Sequence, residues 1–186
     1  GGYFYNIKKA ADPKWSRLIL FIGEGGTFLL TGFENVIYVG GFMGSKYNKR
    51  VGLFSATHAS FEFKGHITAP AGDVDAVCSA NHLGRAGHVA FWHHSTRQLV
   101  MFGGQNNGSS GQSKTKTVMN DVLLYDIKRV HVNDQTVFSD IVIKKRTNHV
   151  GFLVDDTIYS IGGQDKHGNA LDEFIEIDVH TKRRCS

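Results

Sequence analysis

Ten histidines and a scatter of loop cations are the residues of this chain whose types invite chemistry. The densest histidine run is HVAFWHH, holding His88, His93 and His94. A metal site needs ligand atoms converging on one point. On a strand, the neighbours His93 and His94 point to opposite faces. His88 and His94 share a face but lie about 20 Å apart at ~3.3 Å per residue. No metal and no other cofactor is expected from this run. Cys78 and Cys185 stand outside any paired-cysteine spacing, which predicts reduced thiols in place of a disulfide framework. No Ser/His/Asp elbow or paired-carboxylate pattern is visible. GEGGTF (23–28) has the glycines of a phosphate loop without its Lys-Ser/Thr. The expectation is a protein that is not an enzyme.

The cations offer binding chemistry. Lys46, Lys49 and Arg50 stand in GSKYNKR, Lys114 and Lys116 in QNNGSSGQSKTKTVMN, and Lys166 with His167 in QDKHGN. Arg85 and Arg146 open strand-like runs at the same end of their units. Converging, these nine residues suit an acidic or phosphorylated protein partner through charge-assisted hydrogen bonds. Arg85 and Arg146 carry a second, preferred expectation. They recur within Arg85-x-x-His88-Val89 and Arg146-x-x-His149-Val150, so they should serve the repeat itself by bonding backbone carbonyls between successive units. The net charge of +4 is dispersed, with KKR (144–146) and KRR (182–184) as its local concentrations. This pattern fits a solvated surface better than a nucleic-acid groove.

The elements that must position these residues repeat. VIYVGGF, LVMFGGQ and IYSIGGQ each run a strand-like segment into a glycine pair, at Gly40-Gly41, Gly103-Gly104 and Gly162-Gly163. Downstream, DVLLYDIKR (121–129) matches EFIEIDVHTKR (173–183). Thirteen Phe and six Tyr against two Pro, with 22 Gly, favour strands joined by glycine turns over a helical bundle. The predicted strands are 26–33, 35–40, 51–57 and 59–68 in the first unit, and 86–94, 98–103, 121–127 and 136–145 in the second. In the third they are 147–154, 157–162 and 171–178, the last strand being short or absent. GYFYNIKK and KWSRLILFI read as two closing strands of a preceding unit. Strand-terminal glycines of this kind answer to a turn or to a close backbone, not to a ligand.

Units in which Arg-x-x-His opens the first strand, an apolar-Gly-Gly closes the second and an apolar-Asp ends the third resemble kelch repeats. The resemblance implies an all-β fold, a kelch-type β-propeller of four-stranded antiparallel blades. The divisions would be the end of a blade at 1–23 and blades at 24–68, 85–146 and 147–186, an incomplete ring of about three and a half blades. Closure would need further blades from the same polypeptide or another chain. Unit one departs from the pattern, with GEGGT where Arg-x-x-His would fall. The loops after the second and fourth strands of a blade share one end of the disc, and the longest insertions, 66–84 and 105–120, are of those kinds. That end is the expected contact surface. The resemblance implies a protein-interaction module. A structural subunit of a ribonucleoprotein or cytoskeletal assembly, or a propeller enzyme of the sugar oxidase or sugar-acid isomerase type, are the alternatives. No apolar run reaches bilayer-spanning length and no secretory layout opens the chain, so a cytoplasmic protein without a membrane partner is expected.

Overall fold

The structure, a computed structural model, describes residues 26–30, 35–43, 46–55, 60–66, 84–107, 117–127, 131–136 and 143–180. Every regular element among them is a strand, and all pairings of named strands are antiparallel. Among the described residues no helix is long and apolar enough to cross a membrane. The strands expected at the start of the chain, with Cys78, Cys185, Lys114 and Lys116, lie outside the described residues.

The first sheet is a meander of β1 (Thr27–Leu30), β2 (Asn35–Val39), β5 (Arg50–Ser55) and β6 (Ser60–His66). The second repeats it with β7 (Val89–His93), β8 (Gln98–Phe102), β11 (Val122–Asp126) and β12 (His131–Thr136). The third has β13 (Val150–Val154), β14 (Thr157–Ile161) and β15 (Phe174–Asp178). After the second strand of the first two sheets the chain makes a small extra hairpin, β3 (Phe42–Met43) with β4 (Lys46–Tyr47), and β9 (Gln105–Asn106) with β10 (Thr117–Val118). In the third unit a single bridge, Gln164 to Ala170, takes that place. The sequence pattern alone predicts plain loops for these segments, because two-residue strands carry no periodicity.

One strand is displaced from its expected position. The fourth strand of the second sheet was expected at 136–145 and lies at His131–Thr136, while 143–146 are not in a strand. The apolar run VFSDIVIKK has the stronger strand character, but the hairpin decides the outcome. Asp126 pairs with His131, so only four residues separate β11 from β12, a loop whose closure is cheap. Ile143 instead reaches the core between sheets two and three.

The core consists of two layers, one on each side of the second sheet. Ile37, Val39 and Val51 of the first sheet pack on Ala90, Leu99, Met101, Leu123 and Tyr125. On the other side, Val100, Phe102, Val122 and Leu124 pack on Ile158, Ile177 and Val179. The β8 run LVMF is therefore apolar without alternation, because successive side chains enter different layers and both are dry. The β14 strand alternates instead. Ile158 and Ser160 are buried, while Ile161 is exposed. First strands of neighbouring sheets make the cross-sheet approach, β1 to β7 and β7 to β13.

Candidate functional site

The repeated residues build the joints between sheets. In the second unit, the Arg85 guanidinium donates two parallel hydrogen bonds to the Asp121 carboxylate, at 3.0 and 2.9 Å, and one to the Gly103 carbonyl at 3.0 Å. In the third, Arg146 donates to the Gly162 carbonyl at 3.1 Å and to Glu173 at 2.9 Å. Both arginine side chains are fully buried. Their guanidinium groups are committed inside the protein and are not displayed to a partner. Each bonds the glycine carbonyl of its own unit and not, as the repeat suggests, a carbonyl of the neighbouring one. The link to the preceding unit runs through the arginine's own backbone: Gly41 N donates to Arg85 O at 2.7 Å, and Gly104 N to Arg146 O at 2.9 Å.

The two residues of a glycine pair thus have different tasks. The second sends its N–H across the joint. The first holds a left-handed φ of +70° at Gly40 and +65° at Gly103, with the histidine of the next unit pressed against it. A Cβ on Gly40 would lie 2.5 Å from the His88 ring and 2.7 Å from Arg85 O. Glycine is needed there for both conformation and space. The motif's third position is also left-handed, at Gly87 and Asn148, and both residue types tolerate it.

Unit one, where the motif is missing, solves the same problem differently. The Tyr38 hydroxyl donates to the Gly40 carbonyl at 2.6 Å, the bond that Arg85 and Arg146 make in their own units. Its ring fills the space over Gly26, where a Cβ would fall 2.5 Å away. The position of Asp121 and Glu173, defined by the backbone bond to the first glycine, is occupied here by Arg50, whose carbonyl accepts from Gly40 N. Asn48 completes the arrangement by donating to Tyr38 Oη at 3.3 Å and accepting from Arg50 N. A hydroxyl in place of a guanidinium carries no charge, so no acid is required opposite it.

The remaining predicted cations among the described residues lie at the elaborated end. Lys46 and Lys49 are exposed on and beside the β3–β4 hairpin, and Arg50, half-buried, follows them. Lys166 and His167 are exposed in the tight 164–170 loop. Asp165 closes that loop by accepting from His167 N, Asn169 N and Asn169 Nδ2, and the Asn169 side chain holds its carboxyl below the usual carboxylate range. Neighbouring elaborations touch. Burial pushes the Tyr47 hydroxyl up, against a hydrogen bond with Gln105 of the next unit.

Two further features escaped the sequence reading. Val150, Phe152, Val154, Ile161 and Phe174 form an exposed apolar face on the third sheet, with Val150 70% and Phe174 53% exposed. Tyr159 stacks on Phe152 at 5.2 Å within this face. At the opposite end from the cations, His93, Asp156 and His180 converge. The alternation of β13 and β14 could have shown the first feature. Nothing in the sequence points to the second, because its members come from two sheets and from positions that do not repeat.

No family model matches this sequence, and no curated protein matches it. Solved structures do match, among them the structure of YjhT, at 18% identity and a TM-score of 0.57 over 85% of this chain. The chain spans 42% of the length of that protein. At this identity the likeness is one of fold alone.

Proposed function

We propose that this chain is a run of kelch-type β-propeller blades acting as a protein-interaction module. The observation that carries this reading is that one joint occurs twice. A buried arginine, a histidine on glycine and a Gly N–H to Arg C=O bond recur between sheets one and two and between sheets two and three. A joint that repeats with the same hand turns successive sheets about a common axis, the property from which a propeller is built. Recognition falls to the elaborated end, where Lys46, Lys49, Lys166 and His167 project from short, internally bonded loops. An acidic or phosphorylated protein segment matches that chemistry. The triple substitution Lys46→Ser, Lys49→Ser and Lys166→Ser is expected to weaken binding to an acidic and phosphopeptide array by roughly tenfold or more, taking up to about 1 kcal/mol per exposed pair. A folded variant with undiminished binding would remove this end from consideration.

The bare face of the third sheet favours a second element of the reading, in which a further sheet of the same kind completes the stack. The face corresponds in register to Val89, Phe91, Val100, Phe102 and Val122 of the second sheet, which the third sheet covers. Gly162 has the left-handed φ of Gly40 and Gly103, yet among the described residues no histidine lies against it. Patches of this kind mark interfaces. The 186-residue chain is expected to self-associate with rising concentration in sedimentation velocity runs. Phe152→Ser with Phe174→Ser should shift it to monomer, and identical sedimentation of the two proteins would sink the idea.

A further inference from the structure

We infer that His93, Asp156 and His180 form a binding site for a divalent transition-metal cation that clasps the second sheet to the third. His93 ends β7, Asp156 lies in the two-residue turn between β13 and β14, and His180 follows β15. The three donor atoms all lie within 4.8 Å of one another. His93 Nε2 is 2.6 Å and His180 Nε2 is 3.1 Å from the same oxygen, Asp156 Oδ1. Bonds of ~2.05 Å in tetrahedral geometry place ligand atoms about 3.4 Å apart, so both separations would lengthen by less than about 1 Å to admit one ion. Small side-chain movements would admit it.

The supports of the three ligands are of the kind metal sites use. His93 is 3% exposed, and its other ring nitrogen is engaged by the Thr96 hydroxyl at 2.8 Å, the Ser95 hydroxyl at 3.2 Å and the Thr96 N–H at 3.3 Å. That shell fixes the ring plane with Nε2 aimed at Asp156. When a cation takes Nε2, the ring proton is carried at Nδ1, where the Thr96 and Ser95 hydroxyls can turn to accept it, and the Thr96 N–H, which cannot turn, gives up its 3.3 Å bond to the ring. The backbone bond from Val179 N to Asp156 O, 2.8 Å, holds the turn beside the segment bearing His180. His180 is in turn oriented by an Asx bond, its N–H donating to Asp178 Oδ1 at 2.8 Å.

Two imidazoles and one carboxylate select zinc and its neighbours over magnesium or calcium, which prefer all-oxygen sets. Asp156 and His180 are each about half exposed, so a fourth position would face solvent and take water or a donor from a partner. Two sheets meet at this point, so the cation would stabilise their joint from the end opposite the cationic loops.

The probe is Zn²⁺ alone, titrated calorimetrically into chelator-treated chain. One equivalent bound with a Kd of ~10 μM or tighter is expected, with a rise in Tm of about 5–10 °C at a hundredfold excess over Kd. Asp156→Asn and His180→Ala should each weaken Zn²⁺ at least tenfold, while His167→Ala, at the other end, should leave it unchanged. Co²⁺ in the same chain should give visible bands of a four- or five-coordinate nitrogen and oxygen site, lost in Asp156→Asn. Stoichiometric binding that survives when Asp156→Asn and His180→Ala are combined overturns the assignment, as does wild-type protein that takes up no Zn²⁺ at 100 μM. In the latter case the three residues would be a hydrogen-bonded set only.

Discussion

Arg85→Met is expected to lower the free energy of unfolding by about 3–5 kcal/mol, measured by urea denaturation at neutral pH. The loss does not come from attraction alone. Asp121 is itself buried, and without the guanidinium its carboxylate keeps the cost of leaving water while losing the two charge-assisted bonds that offset it. The Gly103 carbonyl loses a donor at the same time. Arg85→Met with Asp121→Leu should therefore recover most of the loss, because two apolar groups of similar volume remove both the charges and their desolvation. Arg146→Met makes an informative comparison. Its partner Glu173 is 31% exposed and also pairs with Lys144, so the orphaned carboxylate can turn to water and to a second cation. Burial thus predicts the order Arg85 before Arg146. An Arg85→Met protein within 1 kcal/mol of wild type would show that the joint does not depend on this pair.

Acidification from pH 7 to pH 5 should weaken the fold by about 2 kcal/mol for each of His88 and His149. Burial pushes the His88 pKa down to about 3, with Arg85 and His149 acting in the same direction. Burial and then Arg146 push His149 down to about 4. Both rings sit neutral in the joints, His149 edge-on to Phe102 at 5.1 Å. The sign follows from proton counting. Between the folded values and the ordinary 6.5, the unfolded chain holds protons that the native state rejects. This stability is complete above pH 6.5 and is lost as pH falls toward 4, at about 1.4 kcal/mol per unit per histidine. Glu173, held low first by Lys144, adds its own loss only at more acidic pH. Urea midpoints at pH 7 and 5 measure the effect, and His149→Gln should remove about half of it. Equal midpoints in the wild-type protein would mean that the rings are hydrated and not sealed in the joints.

Much of the fold is legible in the residues because the signals are local. Alternation and glycine pairs placed ten of the described strands in three units, and the recurrence of Arg-x-x-His pointed to Arg85 and Arg146 as parts of the repeat, although their guanidinium groups bond carbonyls within a unit and not between units. β12 was misplaced because a strong apolar run outweighed, on paper, a hairpin whose short closure outweighed it in the protein. The extra hairpins after β2 and β8 were missed because two-residue strands carry no periodicity.

The amino-acid sequence by itself therefore determined that the chain is all-β, that its sheets repeat, and where glycine must end a strand. Only the tertiary structure decided what those features do. Strand parity sets His93 and His94 on opposite faces, yet it could not foresee that Asp156 and His180 would arrive beside His93 from another sheet. It also could not show Tyr38 standing in for an arginine, since the substitution lies in a different strand from the residue replaced. The physical reason is the same in both instances. Backbone periodicity acts between neighbours in the chain and is written there, whereas the chemistry of a joint depends on which side chains stacking brings together across it.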